Sequence, residues 1–179
     1  MFYQMNWDTY ANEEMANTLT SPSVGVPWSM GVLYENAVPQ PIVLPLNPER
    51  GRVMPDMFLI DIPLFSDKML AALAKAGIDN LQLYDAEVHS PDGNVFDSYK
   101  AVNIVGKLVC ADLDKSQYDP EDEPPFIDFD HLVIDKEKAH GFQFFRLAED
   151  CSRIIISEHV KNELEAANLI GVKITPIES

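Results

Sequence analysis

Residues 153–177 read RIIISEHVKNELEAANLIGVKITPI. A run of isoleucines into a serine reads as a strand that ends on a helix N-cap, because Ser157 offers a side-chain oxygen to the first free amides of a helix. EHVKNELEAAN then sets Val160, Leu164 and Ala167 on one helical face. Asn168 suits the left-handed C′ position, and GVKITPI returns as a strand. The same pattern stands earlier in the chain. FLIDIPLF (58–65) is an extended run, and SDKMLAALAKAG (66–77) opens on Ser66 with Asp67 in its first turn. Met69, Leu70, Leu73 and Ala76 share a face, Gly77 closes the helix, and LQLYDAEV follows as a strand. The two segments align without a gap at an offset of 91, so that Ser66 meets Ser157, Leu73 meets Leu164 and Gly77 meets Asn168. Two strand–helix–strand units of equal length are expected, each with one apolar helix face to cover.

Between the units lie YKAVNIVGKLVCADLD (99–114), HLVID (131–135) and FQFFRL (142–147). The first is β-branched at Val102, Ile104, Val105 and Val109, with Gly106 as a bulge or break. These strand runs follow one another without helices of crossover length. An α+β fold is therefore expected, with a mainly antiparallel or mixed sheet. Residues 1–57 hold seven of the thirteen prolines and six of the seven methionines. The prolines interrupt any long helix. The reading is a first strand from Phe2 to Trp7, then an extended proline-rich region packed on the core. Residues 58–179 form the α+β domain, the two making one structural unit.

The chain has 179 residues, enough for one real core. Its 29 acidic side chains against 13 Lys and Arg give a net charge of −16. That charge disfavours nucleic-acid backbones and anionic membranes as partners and favours a cationic one. The N-terminus lacks the basic and apolar regions of a signal peptide, and no apolar run is long enough to span a bilayer. A cytoplasmic location is expected, with Cys110 and Cys151 as buried free thiols beside apolar runs.

Sites of chemistry are scarce. The eight glycines form no phosphate-binding loop. A strand over HLVID would hold His131 and Asp135 about 13 Å apart, too far to share an ion without another chain segment. The carboxylates are the serious candidates. Residues 112–130, DLDKSQYDPEDEPPFIDFD, carry eight of them against the single Lys115. Asp112 with Asp114, and Asp128 with Asp130, are D-x-D pairs of the kind that hold Mg²⁺ or Ca²⁺ in a metal-dependent hydrolase. The stretch fails the EF-hand pattern, with Gln117 at position 6. Asp119, Glu121, Asp122 and Glu123 repel one another and stay wet, and Pro124–Pro125 favours an extended, semi-rigid arm. From these residues alone, a solvated loop and a docking surface stand level.

The C-terminal half resembles the myxobacterial-type immunity-protein domain of bacterial polymorphic toxin systems. The residues that carry the resemblance are Tyr99, Val102–Asn103, Asp112–Asp114, Val133, Phe145–Arg146, Ser157 and Gly171–Val172. It covers residues 55–179, and the first 50 match only through the opening aromatic strand. Asn168 departs from the glycine expected after the last helix. The resemblance implies a non-enzymatic antitoxin, with no cofactor and no metal, that binds and neutralises a cognate protein toxin in the producing cell. It supplies no contact positions. The charge adds that the toxin is basic, as a nuclease would be, and the contact surface is then expected on Asp112, Asp114, Tyr118, Asp119, Glu121, Asp122, Glu123, Phe126, Asp128 and Asp130. Tyr118, Phe126 and Phe129 are its aromatic anchor candidates.

Overall fold

The computed structural model describes residues 1–8, 14–19 and 22–178. The chain forms β1 (Phe2–Trp7), β2 (Ile42–Pro45), β3 (Met57–Leu59), β4 (Pro63–Ser66), α1 (Asp67–Lys75), β5 (Leu81–His89) and β6 (Val95–Ile104). It continues with β7 (Lys107–Leu108), β8 (Gln117–Tyr118), β9 (Phe129–His131), β10 (Phe144–Leu147), β11 (Ile154–Ser157), α2 (Glu158–Ala166) and β12 (Val172–Ile177). One five-stranded sheet runs β2-β5-β6-β4-β3, a second runs β12-β1-β11-β10-β7, and β8 pairs with β9. Antiparallel pairs dominate, with β2–β5 and β7–β10 parallel, so the fold is α+β with mixed sheets.

The two strand–helix–strand units are present residue for residue. Positions 91 apart correspond throughout: Pro63 and Ile154 open β4 and β11, Ser66 and Ser157 cap the helices, and Leu81 and Val172 open β5 and β12. Ser66 Oγ accepts from Met69 N at 3.1 Å and Ser157 Oγ from Val160 N at 3.3 Å. Each satisfies one of the otherwise unpaired amides at a helix start. Past the helices the chain turns through positive φ at both counterparts, +76° at Gly77 and +51° at Asn168. Asparagine tolerates this conformation better than most side chains, which accounts for the departure from glycine.

The correspondence reaches beyond these units. In the first, β6 lies antiparallel between β4 and β5, with Ser66, Tyr99 and Ala86 in one cross-strand row and Phe65, Lys100 and Asp85 in the next. In the second, β1 lies antiparallel between β11 and β12, with rows Ser157–Phe2–Ile177 and Ile156–Tyr3–Pro176. The registers are the same, and Asn103 corresponds to Asn6. On the far side, β3 pairs with β4 through Met57–Phe65, and β10 pairs with β11 through Phe144–Ile156. Even the parallel contact of Val43 with Glu87 has its counterpart in Val133 with Glu178. The molecule is thus two like units, and the chain's first strand is the central strand of the second.

Alternation along these strands sends side chains to opposite faces. Phe65, Val102 and Met57, with counterparts Ile156, Met5 and Phe144, join Met69, Leu73, Val160 and Leu164 of the helices in one shared core. Each such side chain contributes about 1.5–3 kcal/mol when fully buried. On the first sheet's other face Phe58, Leu64 and Tyr99 meet Ile42 and Leu44, and are covered by Val26 and Trp28. On the second sheet's other face Phe145, Ile155 and Phe2 meet Leu132 and Ile134, and are covered by Cys110, Ile127 and Phe129.

Two local expectations are corrected and one holds. FLIDIPLF is not one strand but the β3–β4 hairpin, pairing Leu59 with Pro63 across a short turn. YKAVNIVGKLVC breaks at Gly106, as expected, where φ is +126° between β6 and β7. HLVID is not a continuous strand either: His131 ends β9, whereas Val133 and Ile134 make isolated bridges to Glu178 and Ala111.

Candidate functional site

Residues 112–130 lie over the outer face of the second sheet, and hydrogen bonds fasten them there. Asp112 N donates to Val133 O at 2.8 Å, and Ser116 Oγ accepts from Val133 N at 3.0 Å. The β8–β9 pair closes a hairpin, with the Tyr118 and Phe129 rings edge-on at 5.5 Å. Within the loop Asp119 Oδ1 accepts from Glu121 N, and Asp122 Oδ2 accepts from Asp128 N at 3.1 Å. Ile127 N donates to Glu149 O, and Cys151 N to Pro125 O at 3.0 Å. The expected extended arm is therefore a folded loop of successive turns, because residues 149–151 hold its proline end down.

Arg153 is the main fastener. Its guanidinium donates to Asp150 Oδ2 at 2.7 Å, Gln4 Oε1 at 2.9 Å and Phe129 O at 3.1 Å. It also lies 3.5 Å from Asp128 Oδ1 and above the Phe129 ring. One cation thus joins β1, the acidic loop and the turn before β11. Nothing in the sequence around RIIIS marked Arg153 for this role, since its partners are distant along the chain. Below the loop, buried Glu149 accepts from Ala111 N at 3.0 Å.

The candidate contact residues divide by environment. Asp114, Asp119, Glu121, Glu123, Asp128 and Asp130 are exposed. Asp112 is engaged by Lys115 Nζ at 2.6 Å, and that hydrogen bond holds its carboxyl below the usual carboxylate range. Asp122 is half-buried and spends an oxygen on the Asp128 amide. Tyr118 is half-buried, and Phe126 stands 71% exposed among the acids. Phe129 is buried, so it serves the core and not an interface. Sequence reading missed Val109 and Leu113, 70% and 40% exposed at the start of the same surface. Strand alternation past Gly106 could have marked Val109 as outward.

Both thiols are buried and free. Burial, with Glu149 adding to it, pushes the Cys110 thiol up to about 12, which disfavours the nucleophilic thiolate. Among the described residues no group of three His, Cys, Asp or Glu side chains is placed to hold a metal ion, so the two D-x-D pairs do not converge. Among the described residues, too, no helix is long and apolar enough to cross a membrane.

The chain is thus a two-unit α+β fold whose acidic loop lies outward over the outer face of the second sheet. The chain belongs to the immunity protein family Imm11, whose family model matches residues 6–179. The match takes in most of the first 50 residues, which the sequence resemblance reached only loosely, in keeping with β1 and β2 being integral strands. No curated protein matches the chain.

Proposed function

We propose that this protein neutralises a cognate bacterial toxin by binding it, without catalysis, in the cytoplasm of the producing cell, and that residues 112–130 form the contact surface. The toxin surface it meets is basic, as the nucleic-acid groove of a nuclease would be. Asp114, Asp119, Glu121, Glu123, Asp128 and Asp130 steer the encounter, and Phe126 with Leu113 supplies apolar contact area. Asp112, Tyr118 and Asp122 shape the surface from within.

The observation that carries this reading is internal to the fold. Each sheet's outer face needs a cover, and the two units solve that need with very different charge. Residues 22–41, over the first sheet, hold one charged side chain, Glu35. Residues 112–130, over the second, hold eight carboxylates. Covering such a sheet does not require acid, and packing carboxylates together costs repulsion. The acidity is therefore an addition to one unit, of the kind that raises association rates with a cationic protein.

The test is co-expression with the product of the neighbouring gene. Rescue of growth and a co-purifying complex are expected. Failure of both, with each protein folded, would remove the antitoxin reading.

A further inference from the structure

The two units have the same strand order and the same register, yet their central strands come from different places in the chain. In the first, β6 follows β5 through a hairpin between His89 and Val95. In the second, the strand between β11 and β12 is β1, and Phe2 lies directly opposite Ile177. Met1 and Glu178 thus stand where the first unit has a hairpin. The second unit is a circularly permuted version of the first, completed by residues that precede everything else in it.

The acidic face is seated on that borrowed strand. Phe2 is buried on the outer face of the second sheet, its ring edge-on to Phe145 at 6.0 Å. Gln4 Oε1 takes one of the four groups that Arg153 holds, the others lying at Asp150, Phe129 and Asp128. Ile134 N donates to Glu178 O, at the end of the strand that β1 pairs with. Remove β1 and β12 loses the strand it pairs with in the sheet, Arg153 loses a partner, and the floor under Ile127 and Phe129 opens. The first unit keeps its own central strand β6, although Tyr3 and Met5 of β1 lie in the core the two units share and Trp7 reaches across to Phe58 at 5.7 Å.

We infer that β1 is a latch: the acidic face of the second unit exists as a surface only while residues 2–7 are docked between β11 and β12. The reading is independent of what the face binds. It makes that surface removable by anything that withdraws the first strand.

Native-state hydrogen exchange on the full chain tests this, because cooperative units exchange as blocks. The amides of β1, β11 and β12 should share one opening step with those of Ile127 and Ile134, with a common denaturant dependence. Ala101 and Val102 of β6 should open in a separate, more protected step. In Phe2→Ala, protection at Ile127 and Ile134 should fall about tenfold or more, with Ala101 and Val102 changing less than about threefold. Protection persisting at Ile127 and Ile134 after β1 has exchanged would overturn the latch. So would an equal loss of protection in both units.

Discussion

Arg146 is the most exacting place to test the packing. It corresponds to Leu59 of the first unit, yet it is a guanidinium with 3% of its surface exposed. It has no ion-pair partner among the described residues. Nη1 donates to Ser152 O at 2.9 Å and Cys151 O at 3.3 Å, and Nη2 to Trp28 O at 3.2 Å. Burial pulls its pKa down to about 10, so it remains charged at pH 7. Arg146→Leu removes three charge-assisted bonds and leaves three carbonyls, each costing about 1–3 kcal/mol if left unpaired. The relief of a desolvated cation offsets part of that. A net loss of about 3 kcal/mol is expected, a large share of a typical stability of about 5–15 kcal/mol. Urea denaturation followed by fluorescence measures it, and the slope should be unchanged. Because one bond reaches Trp28 in the cover of the first sheet, the Trp signal should move with the transition. An Arg146→Leu protein as stable as the parent would refute the reasoning, since Arg146 would then be tolerated and not needed.

The remaining expectations concern single features. Ser66→Ala should cost more than Ser157→Ala, within the usual 0.5–2 kcal/mol or so for N-caps, because the Ser66 hydroxyl donates to the buried Asp56 Oδ1 at 2.6 Å whereas the Ser157 hydroxyl donates to the exposed Gln143 Oε1 at 3.3 Å; equal midpoint shifts in thermal melts would contradict this. The native protein should leave Cys110 unlabelled by a thiol reagent at pH 8 and expose it only on unfolding, as a buried thiol raised to about 12 requires.

Much of the architecture was legible locally. The serine caps, helix faces and left-handed closures depend on residues a few positions apart, so both strand–helix–strand units could be read at their true offset. The partners of β1 could not. Nothing in FYQMNW says that it pairs with residues 154–157 and 172–177, because register between distant strands is set by the whole core. Pro63 and Asp61 hid a hairpin inside an apolar run. At the candidate site the exposure of Asp119, Glu121 and Glu123 was legible from mutual repulsion, but not the partial burial of Asp122. The division of Phe126 outward and Phe129 inward was not, because it follows from the register of the β8–β9 hairpin. Nor was Arg153, whose contacts at Gln4 and Phe129 lie far away in sequence.

The most direct measurement is the association rate of the purified protein with the product of the neighbouring gene, at low and high salt, before and after Asp114, Asp119, Glu121 and Glu123 are changed to lysine. The parent should associate faster at low salt by about 10-fold or more, and the reversed protein, folded by circular dichroism, should lose that advantage. An unchanged rate at low salt in the reversed protein would show that the acidic loop is only solvated and that the toxin meets another face.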